Sequence, residues 1–137
     1  MKTEILTVQI LIDANIESVW KKWTTPSDIK IWDNISDFWH TPVVINNLKV
    51  GGRFLYRMES KDKSEGFDFS GKYTQIVKHE LIEYITTDGR KVSIEFEHLN
   101  DFTIIVQNFE SDINNCIETQ KAGWKSVLQN FKNYVER

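Results

Sequence analysis

The strongest constraint on the fold is a change in the period of the apolar residues near Asp112. Before it, short stretches alternate apolar and polar side chains, most clearly from Val92 to His98. After it, apolar residues recur every three or four positions. A period of two is typical of strands with one buried face, and a period of 3.6 is typical of an amphipathic helix. The pattern predicts a run of strands followed by one long helix.

Turn signals separate these stretches from one another. Gly51-Gly52 precedes the run of strands, and Asp88-Gly89 is typical of a two-residue hairpin loop. Because strands joined by short links pair antiparallel, we expect an antiparallel sheet with the helices on one face. The predicted strands cover residues 6–12, 54–58, 67–77, 81–86, 92–98 and 102–109.

Two short helices are predicted after the first strand. Asp13 or Asn15 can cap the first of them, and Pro26 ends or restarts it. Residues 27–33 can form the second, and residues 34–47 are interpreted as irregular. The first helix would carry its apolar side chains at Ile16, Val19, Trp20 and Trp23.

The C-terminal helix is predicted from about Asp112, with a length of roughly 35 Å at 1.5 Å per residue. Gly123 lies in its middle and costs about 1 kcal/mol relative to Ala. Close approach of the helix to a strand or loop is the simplest reason for a glycine there, and a ligand packed on the bare backbone is the alternative. The apolar stripe consists of Ile113, Ile117, Trp124, Leu128, Phe131 and Val135.

These elements predict an α+β fold in which a curved antiparallel sheet wraps around the C-terminal helix. A chain of 137 residues fits a single domain over residues 1–137. A net charge of -3 without a Lys/Arg run argues against nucleic acid as a partner. No apolar run approaches the ~18 residues of a membrane span, and no signal peptide is recognised, so a cytoplasmic location is expected.

Several blocks in order resemble one known superfamily. The most specific runs from Asn47 to Phe54, and it is flanked by Val19-Trp20, Gly66 to Tyr73, Tyr84 to Arg90 and Gly123-Trp124. Together they resemble the START-like or Bet v 1-like (SRPBCC) superfamily, in the group related to the C-terminal domain of activators of the heat-shock-protein-90 ATPase. The resemblance implies a helix-grip fold with a cavity. Its members include lipid carriers, hormone receptors, polyketide cyclases and co-chaperone domains.

The function predicted from these features is non-enzymatic binding of a small hydrophobic or aromatic ligand, as a carrier or sensor. A cyclase- or hydrolase-like enzyme using the same cavity is one alternative. A chaperone-binding module is another, less favoured because the N-terminal domain of the eukaryotic activators does not accompany this module. No cofactor is expected, and no metal, because the three histidines are too far apart for a local metal motif.

The candidate ligand-binding residues come from the aromatic strand faces, the helix and the connection before the sheet. His98 continues an apolar row and faces either the cavity or its rim. By resemblance, Trp39 and His40 would lie near the cavity mouth; the alternative for Trp39 is that it caps the core. The full set is Trp39, His40, Phe54, Tyr56, Met58, Phe67, Phe69, Tyr73, Phe96, His98 and Trp124.

A homodimer would be supported by apolar residues on the more polar strand faces. If those faces point outward, they leave apolar surface that favours self-association. The residues concerned are Leu55, Ile85, Ile105 and Phe109.

Overall fold

The computed structural model describes residues 3–34 and 36–137. Within this part of the chain, no helix has both the length and the hydropathy that crossing a membrane requires. The elements in chain order are β1 (Ile5–Ile12), α1 (Ile16–Thr24), α2 (Pro26–Trp32), β2 (Trp39–Asn46), β3 (Arg53–Ser60), β4 (Gly66–Val77), β5 (Leu81–Thr86), β6 (Lys91–Leu99), β7 (Phe102–Glu110) and α3 (Ile117–Glu136).

All seven strands form one antiparallel sheet in the order β1-β7-β6-β5-β4-β3-β2. The first strand pairs with the last, with Ile5 opposite Glu110 and Ile12 opposite Thr103. The sheet curls into a half-barrel around the long C-terminal helix, and the two short helices follow the first strand. The predicted helix-grip architecture is confirmed.

The two short helices begin where their capping residues predict. The Asn15 side chain accepts a hydrogen bond from the Ser18 N–H at 2.9 Å, which caps α1. The N–H of Thr25 bonds the Lys21 carbonyl at 3.0 Å and ends that helix. Pro26 then starts α2, a position where its missing N–H leaves no helical hydrogen bond unmade.

The segment interpreted as irregular contains a strand, so that prediction is wrong for residues 39–46. β2 pairs with β3 and forms one edge of the sheet. Pro42 lies at a register shift between His40 and Val43. Proline cannot donate to the ladder and is tolerated at edge strands and bulges. The bulge breaks the alternation by which the strand would have been recognised.

The condition set for a dimer surface, that the strand faces of Ile105 and Phe109 point outward, is not met. Their side chains are 0% and 1% exposed, so they belong to the core. The inward face of β7 also carries buried Gln107, and this mixture of polar and apolar residues disguised the buried face. Leu55 and Ile85 are half-buried. Ile105 and Phe109 therefore supply no outward apolar surface for a dimer.

The helix α3 begins at Ile117, later than the apolar stripe suggested. The Asp112 carboxylate accepts a hydrogen bond from the N–H of Asn114 at 2.9 Å, which closes a turn just before the helix. Such side-chain bonds to the backbone compete with helical hydrogen bonding. Ile113 consequently precedes the helix and is exposed.

The turn after β5 is also longer than predicted. Thr86 and Arg90 bond across it, with the Thr86 N–H donating to the Arg90 carbonyl at 2.9 Å. Gly89 has φ +88°, a left-handed conformation that glycine adopts without strain. The loop therefore holds three residues between the bonded pair and uses the glycine at its last position.

One aromatic cluster fixes the short helices to the C-terminal half of α3. We define the aromatic cluster as Trp20, Trp23, Trp32, Phe96 and Phe131. The ring centroids of Trp23 and Trp32 lie 4.7 Å apart, and each lies 4.9 Å from Phe131. Trp20 packs on Phe96 of β6 at 5.2 Å. All five rings are buried, so this end of the interior is filled.

We expect Phe131→Ala to lower the free energy of unfolding by about 3–5 kcal/mol, because it leaves a cavity in a filled cluster. The matched control is Phe38→Ala, since Phe38 is 78% exposed and its removal should change stability by less than about 0.5 kcal/mol. Urea denaturation of both variants measures the difference. Equal losses would contradict the packing described here.

Candidate functional site

A cavity of about 550 Å³ lies between the sheet and the N-terminal half of α3. Small-molecule sites commonly enclose about 300–1,000 Å³. Leu128 and Phe131, in the other half of the helix, are fully buried. The helix therefore packs tightly at one end and leaves space beneath the other. It lines the cavity with Thr119, Gln120, Gly123, Trp124 and Val127.

Aromatic side chains from β3, β4 and β5 form the sheet side of the cavity. Phe54 and Tyr56 share the inward face of β3 because strand side chains alternate. The Phe54 ring lies 4.7 Å from Tyr84 and 5.2 Å from Tyr56, so the rings support one another. Seven of the candidate residues line the cavity: Phe54, Tyr56, Met58, Phe67, Phe69, Tyr73 and Trp124.

Trp124 is held in place by a ring on the sheet. Its indole stacks on Phe109 with centroids 4.1 Å apart and planes inclined by 8°. It also meets Phe69 edge-on at 6.3 Å. The indole is half-buried, because its remaining surface faces the cavity rather than another side chain.

Two candidate residues on β6 lie away from the cavity lining. Phe96 is buried in the aromatic cluster, where it packs on Trp20. His98 is exposed near the end of β6, opposite Thr103 of β7. Ile94, Phe96 and His98 lie on the same face of β6. Ile94 lines the cavity, Phe96 belongs to the core, and His98 lies past the core at the exposed end of the strand.

Trp39 and His40 lie on the edge strand β2. The Trp39 ring is half-buried and packs edge-on against Phe67 at 5.6 Å. His40 is exposed and lies opposite Glu59 of β3. Trp39 thus reaches the cavity only through Phe67, and His40 lies outside it.

Asp33 is a cavity residue that the sequence did not reveal. It ends α2, where its N–H bonds the Ile29 carbonyl at 2.9 Å and its carbonyl accepts from the Thr41 hydroxyl. The side chain is 6% exposed and lines the cavity. No donor among the described residues lies within hydrogen-bond reach of its Oδ2. Burial raises the pKa of this carboxyl from its usual value of 3.8 to about 7.

A short chain of neutral polar groups also faces the cavity. The Tyr73 hydroxyl donates to Asn46 Oδ1 at 2.5 Å, and Asn46 Nδ2 donates to the Thr24 carbonyl at 2.8 Å. Burial raises the pKa of Tyr73, Tyr56 and Tyr84, and the charge of Asp33 raises the last two further. These tyrosines therefore stay neutral and can donate hydrogen bonds at physiological pH.

The cavity opens toward the start of α3. Phe67 is 42% exposed, and Asn115 and Thr119 are exposed on the opposite side of the opening. Arg90 also lines the cavity, and its Nε bonds the Asp88 carboxylate at 2.9 Å. The opening therefore lies between an aromatic ring and the polar start of the helix.

Within residues 3–34 and 36–137, no group of three or more histidine, cysteine or acidic side chains is arranged so that it could hold a metal ion. The remaining cavity residues missing from the sequence prediction are apolar or amide side chains of α1, α2 and the central strands. Their positions depend on how distant elements meet, which no local pattern records. They include Trp23, Trp32, Ile82, Tyr84 and Gln107.

Solved structures similar to this chain share its whole fold. The AHSA1-like protein from Aeromonas hydrophila is 36% identical over 96% of this chain and 92% of its own, with a TM-score of 0.88. A protein from Cytophaga hutchinsonii is 45% identical over 95% and 90%, with a TM-score of 0.83. A Chromobacterium violaceum protein at 18% identity covers 97% of both chains and shows the fold alone, with a TM-score of 0.85.

The sequence match to a family is similarly extensive, although no curated protein matches the chain significantly. The family described as Activator of Hsp90 ATPase homolog 1-like protein matches residues 13–136. This range begins just after β1 and includes every element that lines the cavity. The chain therefore belongs to the family of Activator of Hsp90 ATPase homolog 1-like proteins.

Proposed function

We propose that the protein binds a small, largely apolar and aromatic molecule in the cavity, as a carrier or sensor. The observation that supports this most is the environment of Gly123. The residue lies in the middle of α3 and faces the cavity, and a Cβ placed there would meet no atom within 4 Å. Close approach to a neighbouring element is therefore not the reason for the glycine. Glycine at this position costs about 1 kcal/mol of helix propensity relative to alanine, and its missing side chain leaves the cavity larger.

The aromatic rings that line the cavity, which include Phe54, Tyr84 and Trp124, form a wall that is suited to a planar ligand. Rings that are already packed, such as Trp124 on Phe109 and Phe54 on Tyr84, lose little freedom when a ligand binds. Preorganisation of this kind lowers the entropic cost of association. Edge-on and offset contacts between rings add roughly 0.5–1.5 kcal/mol each. An aromatic ligand would therefore gain more from this wall than a flexible chain of the same size.

A second candidate follows from the family name. Binding to the Hsp90 ATPase would use the outer surface, where Phe38 just before the edge strand β2 is 78% exposed and Ile45 on that strand is 57% exposed. A chaperone interaction of that kind would survive filling of the cavity. An Hsp90 ATPase assay with a cavity-filled variant distinguishes this candidate from ligand binding.

We expect Gly123→Leu to fill the cavity and to weaken binding of the neutral dye Nile red by at least roughly tenfold, about 1.4 kcal/mol. Its melting temperature should be unchanged or higher, because leucine is the better helix former. Gly123→Ala is the matched control, since it gains helix propensity but adds only one methyl group and should keep the dye. Fluorescence titration and thermal unfolding are measured together. Absence of dye binding in the wild type, or unaltered binding in Gly123→Leu, would contradict the proposal.

The unpaired carboxyl should give the empty protein a distinctive pH dependence. Because the pKa of Asp33 is raised to about 7, the folded protein retains a proton that the unfolded chain releases near pH 4. This contribution to stability is complete below about pH 4, falls as the pH rises, and is lost above about pH 7. Asp33→Asn has no such titration. Its free energy of unfolding relative to that of the wild type should therefore rise by up to about 4 kcal/mol between about pH 4 and pH 7.

Urea denaturation at several pH values measures this difference. The control is Asp37→Asn, which makes the same charge change at an exposed position outside the cavity and should show no comparable trend. A constant stability difference between Asp33→Asn and wild type from pH 4 to 7 would mean that the carboxyl is not desolvated.

A further inference from the structure

The Asp33 carboxyl lacks the partners that buried acids normally have. Buried charges in proteins are usually paired or hydrogen-bonded, because leaving them alone costs several kcal/mol. Within the described residues, Asp33 Oδ2 has no donor, and burial is the cause that raises the pKa of this group. Its backbone N–H and carbonyl are both bonded, so the residue is held firmly at the end of α2. This residue is part of the cavity lining.

The protein offers Asp33 no cation from the cavity wall. Arg90 is the only Lys or Arg among the described lining residues, and its guanidinium is bonded to Asp88. The other titratable groups facing the cavity are Tyr56, Tyr73 and Tyr84, whose pKa values are raised, so they stay neutral. A positive group that enters with the ligand would therefore meet the carboxyl without competition.

The aromatic surroundings favour the same kind of group. Tyr56 and Tyr84 line the same cavity as Asp33, and so does Trp32, which immediately precedes Asp33 in the chain. Aromatic faces attract cations, and this attraction increases when water is excluded. A carboxylate among aromatic rings therefore offers an ammonium group both a charge-assisted hydrogen bond and cation–π attraction.

We propose that Asp33 binds a protonated amine on the ligand, so that the cavity selects largely aromatic molecules that carry one amine. The proposal rests on ligand binding in the cavity as proposed above. The apolar part of such a molecule would lie against the Phe54 and Trp124 side of the cavity, and its amine would meet the Asp33 carboxylate. A charge-assisted hydrogen bond of this kind is about twice as strong as a neutral one.

Two probes of similar size separate the amine from the ring that carries it. Naphthalen-2-ylmethylamine is positively charged, and 2-ethylnaphthalene has the same ring without a polar group. At about pH 8 the wild type should bind the amine at least roughly tenfold more tightly than the hydrocarbon. In Asp33→Asn that preference should disappear while hydrocarbon binding is retained, and Asp37→Asn should behave as wild type. Isothermal titration calorimetry measures all three proteins.

The pH dependence of the wild type tests the same proposal without a variant. The amine should bind roughly tenfold more weakly at about pH 5.5 than at pH 8, because only the ionised fraction of Asp33 pairs with it. Hydrocarbon binding should not change with pH. This measurement tests whether Asp33 binds the amine even if Asp33→Asn fails to fold.

The outcomes separate this proposal from the one on which it rests. Hydrocarbon binding with no preference for the amine overturns the role of Asp33 and leaves apolar ligand binding intact. A preference that persists in Asp33→Asn, or that is independent of pH, overturns it as well. Failure of the wild type to bind either probe or Nile red overturns both proposals.

Discussion

The contact on which the rest of the structure depends is the packing of Phe131 against both Trp23 and Trp32. It joins the C-terminal half of α3 to both short helices, and Trp20 extends the contact to Phe96 on the sheet. A helix held firmly at one end does not need to pack along its whole length. The N-terminal half can therefore remain apart from the sheet, and the space beneath it becomes the cavity. The tightly packed contact and the cavity thus lie at opposite ends of one helix.

Much of the fold could be predicted from the sequence because its signals are local. Alternation revealed β3 to β6, and Asn15 and Pro26 marked the starts of the two short helices. The misses occur where a polar or proline residue interrupts the period. Pro42 interrupts the alternation of the edge strand β2, so that strand was not predicted. Buried Gln107 makes the inward face of β7 less apolar, so that face was not recognised as buried.

The candidate site was predictable only to the extent that strand alternation determines it. The inward residues of β3 and β4 were identified, because each follows from its neighbours two positions away. Asp33 could not be identified, since its burial depends on how the end of α2 packs against the sheet, where the Thr41 hydroxyl of β2 bonds its carbonyl. In the sequence it is an ordinary acidic residue after a helix. Gly123 was recognised as unusual, but only the surrounding space distinguishes its two explanations.

The pairing of β1 with β7 has a consequence for how the chain folds. Residues about one hundred positions apart lie opposite each other, and α3 adds further bonds from Lys132 to the Leu11 carbonyl and from the Asp13 N–H to Glu136. Contacts so distant in sequence are slow to form, because a long loop must close before they stabilise anything. During synthesis β1 must wait, with its apolar side chains unprotected, until almost the entire chain has left the ribosome. The hairpins from β2 to β7 can form meanwhile, so the N-terminal strand is expected to join the sheet last.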